Sequence, residues 1–307
     1  MKTNDYNKIP LIIADYLGEE SLKLKCDGLI INSKLYSTYN DVTFSVYEIS
    51  SIIKSIKDSK KKVLLNVNRI IPENEIEKFE SIIKGLINQV DYLIYSDLSV
   101  LKIVDKRDYD KLIYDSKTLI CNKEELSIFP TKAFLSQSLS FNEIKDFCSV
   151  DKNFCLDVFG YIEMMYSRRP LLSLVVPRGK VRTNTLYSLK EETRDEYYNI
   201  YETKRLRNNY GTFVYSGSCY VLLKELKDIF GNIDFIRISS MFLGNVAEKV
   251  VSVYYKYLKD LENGALDNYK EEYYYEKLKS ILENNHVSIT RGFLDQESVL
   301  LKEATND

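Results

Sequence analysis

The sequence predicts an α/β protein, a (βα)8 TIM-like barrel with an elaborated insertion after the seventh strand. Three observations predict it. Short runs rich in β-branched and aromatic residues recur, amphipathic segments alternate with them, and several runs are almost continuously apolar and close on a polar residue. The last pattern belongs to parallel strands covered on both faces, whose carboxyl ends open into a site. Alternation with helices calls for right-handed crossovers. An open doubly wound sheet is the alternative, but no glycine-rich phosphate loop follows any run.

In chain order the strand candidates are "PLIIADY" from Pro10, "GLIINS" from Gly28, "VLLNVN" from Val63, "YLIYSD" from Tyr92, "KLIYDS" from Lys111, "KAFLSQ" from Lys132, "FCLDVF" from Phe154 and "FIRISS" from Phe235. Between the second and third, Val46, Ile49, Ile52, Ile53 and Ile56 share a helical face, and Ser45 three residues before Glu48 reads as a capping box. The next helix repeats the pattern with Ile76, Phe79, Ile82, Ile83 and Leu86. The regularity breaks after Phe159. Roughly 75 residues precede the eighth strand, too many for a simple connection, so an insertion over the barrel mouth is expected. Within it "YNIYET" and "YGTFVYS" alternate like a hairpin joined by the turn "KRLRNN". The expected organisation is a barrel over residues 1–285 with its insertion at 161–230, and a short tail at 286–307.

Composition limits the function classes. Hydrophobic residues make up 45% of 307 residues, enough for a sizeable core, and the net charge is −2, so any RNA contact must come from a local patch. Five scattered cysteines, no amino-terminal signal pattern and no run of the roughly 20 apolar residues that span a bilayer point to a reducing, cytoplasmic setting without a membrane partner. Abundant Ile, Lys, Asn and Tyr without Trp fit an AT-rich bacterial genome. No HExxH, CxxC or GxSxG occurs, which leaves zinc-protease, thiol-redox and α/β-hydrolase chemistry without a starting point. The sole histidine, His286, lies between a helix and the tail and reads as a surface residue; Cys155, separated from Cys148 by six residues, reads as a buried structural thiol.

In a barrel, chemistry sits at the strand carboxyl ends. That criterion selects Asp15, Asn32, Asn66, Asn68, Arg69, Ser96, Asp97, Asp115, Gln137, Asp157 and Ser239. Arg69, Arg168 and Arg169 together read as a cationic rim, since guanidinium offers planar, bidentate donors to carboxylate or phosphate; the alternative is an ion pair with acids of the insertion. Tyr166 and Ser167, next to the arginine pair, complete the candidate ligand-binding set with Asn68, Asp97 and Asp157. No residue is assigned a catalytic role. Tyrosines cluster at Tyr197–Tyr201, Tyr254–Tyr257 and Tyr273–Tyr275, and the helical spacing of the latter two reads as packing or partner surface rather than as base-stacking platforms.

The stretch "LDVFGYIEMMYSRRPLLSL" resembles the signature region of the collagenase-like peptidase family U32, with an acidic residue, a short apolar stretch and "YS.R.LLS" leading into the insertion. The resemblance extends over "KVLLNVNRIIPENEIEKFESIIKGLINQVDYLIYSDLSVL", "SLKEETRDEYYNIYE", "YGTFVYSGSCYVLLKEL" and "TRGFLDQESVLLKE", most of the chain. The family name implies proteolysis. Its better understood bacterial members resemble hydroxylation factors that act on the tRNA wobble uridine with prephenate, on a ribosomal RNA cytidine, or in oxygen-independent ubiquinone synthesis. Those members hold an iron-sulfur cluster on four cysteines, two of them flanking "YS.R"; here Glu163 and Pro170 stand at those places, and "VRTNTLYS" carries no cysteine either. A cluster needs thiolates, so the resemblance implies a cluster-less chain with no cofactor of its own. In the eighth strand Ser239 and Ser240 replace the family's acidic residue and glycine.

Some bacteria pair a short U32 protein with a longer paralogue in making wobble 5-hydroxyuridine, and this chain resembles the short one. The resemblance therefore implies a cluster-less subunit of a heteromer serving tRNA hydroxylation, with Arg168, Arg169 and Arg69 binding an anion such as prephenate or an RNA phosphate. The alternatives are a peptidase using paired carboxylates such as Asp97 and Asp157, and a purely structural partner.

Overall fold

The apolar runs become strands and the amphipathic segments become helices that cover them, as seen in a computed structural model that describes residues 9–38, 40–174, 186–191, 201–208 and 210–296. In chain order these are β1 (Leu11–Asp15), β2 (Gly28–Asn32), α1 (Val46–Asp58), β3 (Lys62–Val67), α2 (Ile76–Leu86), β4 (Tyr92–Tyr95), α3 (Val100–Ile103), β5 (Leu112–Tyr114), α4 (Lys123–Ile128), β6 (Lys132–Ala133), α5 (Phe141–Phe147) and β7 (Phe154–Ser167). There follow β8 (Leu186–Glu191), β9 (Tyr201–Asn208), β10 (Gly211–Val221), α6 (Leu226–Ile229), β11 (Ile233–Ile238), α7 (Val246–Glu262), α8 (Asn268–Glu283) and β12 (Ile289–Thr290). The capping box forms as read: the Ser45 amide donates to Glu48 Oε2 at 2.8 Å, so α1 starts where its sequence signals.

Parallel pairing runs β6-β5-β4-β3-β2-β1-β11-β7, so the strands stand side by side in the order in which the chain supplies them. The two ends of that path meet. Phe134, just past β6, bridges Cys155 of β7, and the Leu135 amide donates to the Cys155 carbonyl at 3.0 Å. Inside the ring, Ile13, Ile30, Leu64, Ile94, Ile113, Phe134, Cys155 and Phe235 pack as a separate apolar cluster, one residue from each barrel strand or its immediate continuation. Such a layer is the filling of a barrel interior, whereas the larger core lies between strands and helices. Cys155 is wholly buried there, and burial pushes its thiol well up.

The seventh strand is longer than its apolar run. Instead of ending near Phe159 it continues to Ser167, because Gly160 lets the backbone turn with φ 138° and the second half pairs antiparallel with β10, Tyr161 opposite Cys219 and Ser167 opposite Thr212. The insertion hairpin exists, but its turn differs from the sequence reading. Asn208 pairs with Gly211, so "KRLRN" belongs to β9 and the chain reverses after it. Lys204 and Arg205 are half-buried between the buried Thr203 and Leu206; Lys204 Nζ lies 5.0 Å over the Tyr161 ring and Arg205 Nε donates to Thr203 Oγ1 at 3.2 Å, so both charges find partners within the strand. The positions 197–200, 181–185 and 297–307 lie outside the described residues. The start of the tail docks on the barrel: β12 pairs with β10, and Arg291 Nη1 lies 2.6 Å from Glu225 Oε1. Tyr254, Tyr257 and Tyr274 are buried in the core, the packing role read for two of the tyrosine clusters. No described helix is long and apolar enough to cross a membrane.

Candidate functional site

Parallel strands place their last residues on one rim, and here those residues join into one hydrogen-bonded chain. Ser240, after β11, gives its amide and hydroxyl to Asp15 Oδ2 at 2.8 and 2.9 Å. Asn32 Nδ2 donates to Asp15 Oδ1 at 3.0 Å, Asn66 Nδ2 donates to Asn32 Oδ1 at 2.8 Å, and Asn68 accepts from the amide and hydroxyl of Thr38 at 3.0 and 3.1 Å. Each of these side chains is buried, and each finds a partner, as a desolvated polar group must.

The charged centre is Arg237 of β11. Its Nη1 reaches Asp115 Oδ2 at 2.7 Å and its Nη2 reaches Asp157 Oδ2 at 2.7 Å. Lys117 adds its ammonium 3.3 Å from Asp115 Oδ2 and 3.8 Å from Asp157 Oδ2. Gln137 Nε2 donates to Asp157 Oδ2 at 2.7 Å, while its Oε1 accepts from the Glu163 amide at 3.1 Å. Burial pushes both aspartates up, but the Arg237 and Lys117 charges outweigh it and hold both carboxyls below their usual range. Each carboxylate is paired with Arg237 rather than with the other, unlike the proton-sharing pair of an aspartic protease.

Glu163 behaves oppositely. It stands on the insertion half of β7, and burial raises its carboxyl to about 7, with Asp115 adding to the rise; Lys117, Arg237 and a hydrogen bond with Tyr215 work against it. A carboxyl tuned to neutrality beside a cavity is the usual property of a general acid or base. Two cavities open here. An inner one of about 50 Å³ has Asp15, Asn66, Asp157 and Arg237 in its wall, and an outer one of about 320 Å³ is bounded by Asp115, Ser116, Met164 and Met165. Thr38, Asn68, Lys117 and Glu163 line both and form the partition between them.

The residues singled out from sequence fall into three groups. Asp15, Asn32, Asn66, Asn68, Asp115, Gln137, Asp157 and Ser239 gather at the rim or in the cavity walls, and Ser96 and Tyr166 border the outer cavity. Arg69 and Asp97 do not line either cavity. Arg69 is buried, paired with Glu75, and stacks over Tyr210 at 4.3 Å and Tyr36 at 5.6 Å, so it pins the turn of the insertion hairpin rather than forming a cationic rim. Asp97 accepts from the amides of Ile71 at 2.7 Å and Ser99 at 2.9 Å, a loop-capping role away from Asp157. Arg168 and Arg169 form the third group, exposed at the outer end of β7 with neither guanidinium in an ion pair among the described residues. The backbone of the second is held: the Arg169 amide donates to Ser167 Oγ at 3.2 Å and its carbonyl accepts from Thr212 Oγ1 at 2.9 Å. Tyr166 donates to the Tyr210 carbonyl at 3.1 Å and stacks on Phe213 at 4.8 Å.

Sequence reasoning missed Arg237 and Lys117 and met Glu163 only through the family pattern. The signal for Arg237 is a lone charge inside the apolar "FIRI", in register with Asp157.

No three or more His, Cys, Asp or Glu side chains among the described residues group to hold a metal ion. An iron-sulfur cluster does not fit the donors present either. Pro170 offers no ligand atom, Glu163 no thiolate, and no cysteine lines either cavity: Cys26, Cys155 and Cys219 are buried, and Cys121 lies exposed on a loop.

Fold and site thus define a barrel protein with a polar, charge-neutralised pocket at its strand carboxyl ends. The family model described as Peptidase family U32 matches residues 23–301, and the chain belongs to that family. Among solved structures it is similar to the U32 peptidase Mk0906, at 12% identity over 53% of this chain and 72% of that one, with a TM-score of 0.43. A thiamine phosphate pyrophosphorylase from Pyrococcus furiosus matches at 8% identity over 85% and 99%, TM-score 0.42. A D-psicose 3-epimerase from Clostridium cellulolyticum H10 matches at 12% over 91% and 99%, TM-score 0.36. No curated protein matches.

Proposed function

We propose that this chain is a cluster-less U32 subunit that serves 5-hydroxylation of the tRNA wobble uridine, prephenate-dependent, in a heteromer with a longer paralogue. The observation that carries the reading is the arginine pair. Arg168 and Arg169 are exposed and free of ion pairs among the described residues, and the backbone of Arg169 is held at the outer end of β7, which suits a contact to an anion or an RNA phosphate. Glu163 and Pro170, standing where thiolates would be needed, support a division of labour in which any cluster chemistry belongs to the partner.

A peptidase is the weaker reading. Asp115 and Asp157 are neutralised by Arg237, and neither cavity wall contains a histidine or a cysteine nucleophile. The test is nucleoside mass spectrometry of total tRNA from a strain lacking the gene, complemented with wild type or with R168A/R169A. Loss of 5-hydroxyuridine that wild type restores and the double variant does not supports the proposal. An unchanged profile on deletion overturns it, and cleavage of gelatin or casein by purified protein would restore the peptidase reading.

A further inference from the structure

Glu163 stands in the partition between the two cavities, partly exposed and in no ion pair among the described residues. The bases around it are already committed. Arg237 of β11 pairs with Asp115, just past β5, and with Asp157 of β7, while Lys117 lies 3.3 Å from Asp115 and 3.8 Å from Asp157. Asp115, Asp157 and Glu163 thus face two bases. Asp15 of β1, in the inner wall, is held by Ser240 and Asn32, which bring no charge. Once Glu163 ionises, the pocket is short of a positive charge. Burial and Asp115 accordingly hold the Glu163 carboxyl protonated up to about 7, against Lys117, Arg237 and the Tyr215 hydroxyl of β10. The outer cavity offers room for the missing charge and for an apolar body attached to it. Ile70, Met164 and Met165 are each more than a third exposed at its lip, Tyr166 borders it, and Ser116 and Thr118 add neutral hydroxyls. Polarizable sulfur and an aromatic ring suit a cation on an alkyl stem, and a space of about 320 Å³ admits a small molecule.

We infer that the outer cavity binds a small organic monocation, an amine with an apolar body, whose ammonium pairs with the Glu163 carboxylate. Ile70, Met164 and Met165 cover the apolar part. The ammonium takes the place of the proton that Glu163 otherwise holds, and that proton leaves to solvent, so the charge of the pocket is the same before and after binding. An anion finds no uncommitted base, since Lys117 and Arg237 are matched by Asp115 and Asp157. A neutral ligand of the same shape leaves Glu163 protonated and forgoes the ion pair. Such an amine binds whether or not tRNA is the substrate served, so this inference and the proposed function fail separately.

The test is calorimetric titration of the full chain with three probes of one shape: phenylethylamine, the neutral 2-phenylethanol and the anionic phenylpropionate. Each titration is run at pH 6 and pH 8 in two buffers of unequal ionisation enthalpy, which reports the protons released. Saturable binding of the amine at pH 8, about tenfold or more tighter than either other probe, is expected. Between pH 6 and pH 8 the ionised fraction of the free carboxyl rises from about one tenth to about nine tenths, so the amine should bind about tenfold tighter at pH 8. Proton release should fall from nearly one per amine at pH 6 to nearly none at pH 8. Glu163→Gln should weaken the amine about tenfold at pH 8 and abolish both the proton release and the pH dependence. Amine and alcohol that bind alike, no amine binding at millimolar concentration, amine binding without proton release at pH 6, or a folded Glu163→Gln variant that binds as wild type does would each overturn the inference. The probe series on the wild-type chain decides even if the variant fails to fold.

Discussion

Arg237 and Asp157 stand opposite each other in register on neighbouring parallel strands, joined by two hydrogen bonds from Nε and Nη2 of one guanidinium to the two oxygens of one carboxylate. The same guanidinium reaches Asp115 two strands further round the ring and lies 3.9 Å over the Phe134 ring, so one side chain ties β5, β7 and β11 together across the barrel.

Removing that cation leaves two carboxylates buried with only Lys117 to compensate. Arg237→Met should therefore cost about 3–5 kcal/mol of folding stability, read from urea denaturation midpoints at pH 7. The wild type carries the matching acid signature. Both aspartates have lowered folded pKa values, so their contribution is complete above the ordinary carboxylate range and is lost progressively as pH falls below about 4. In Arg237→Met the slope on the acid side should shrink; an unchanged slope would mean the pair does not set acid stability.

Glu163 gives the opposite dependence. Its folded carboxyl lies at about 7, above the unfolded value near 4.5, so the native state holds the extra proton between those limits. Stability should be fullest below the unfolded value, fall as pH rises through the folded value and level off above it. Glu163→Gln removes this dependence. Relative to wild type it should gain about 1–3 kcal/mol at pH 8 and differ little at pH 5, checked by chemical denaturation at the two pH values.

The arginine pair should be separable from stability. R168A/R169A should change folding stability by less than about 0.5 kcal/mol, as exposed sites do. Its affinity for tRNA, measured by fluorescence anisotropy across a salt series, should fall together with the salt slope, by roughly one to two units if both side chains meet phosphate. Equal slopes for wild type and variant would remove the phosphate contact.

Gly160 is the point at which one strand changes its pairing from parallel to antiparallel. Its φ is 138°, and a methyl group added there would lie only 2.8 Å from Ser239 Cβ, so Gly160→Ala combines backbone strain with a clash. A loss of about 2–3 kcal/mol in a thermal or urea melt is expected. A variant that melts like wild type would show that the bend does not need glycine.

The barrel and most of its rim were legible because both depend on local pattern. Eight apolar runs ending in polar residues place Asp15, Asn32, Asn66, Asp115, Gln137 and Asp157 on one edge whatever the helices do. What escaped depends on distant partners. Arg69 looks like an open cation until Glu75 and the turn residue Tyr210 are brought to it, and Arg237 looks like an interruption of a core strand until Asp115 and Asp157 arrive from β5 and β7. The hairpin turn falls beyond "KRLRN" because charge does not equal exposure: Lys204 and Arg205 point to opposite faces of the strand and each finds a contact there, the ammonium over the Tyr161 ring and Nε on Thr203 Oγ1. Beyond Phe159 the strand continues only because β10, some 50 residues later, comes back to pair with it.

Between β6 and β7 the ring is closed by backbone only at the Phe134–Cys155 bridge, where every other neighbouring pair of barrel strands shares a ladder. A short way outward, Gln137 and Asp157 span the same gap through their side chains. The barrel is therefore a cylinder with a seam, stitched at one height by peptide groups and at another by an amide and a carboxylate. Openings that cost less than global unfolding concentrate where the ladder is shortest, so the amide hydrogen of Leu135 should trade with solvent deuterium through a local parting of that seam, sooner than amides in the longer ladders.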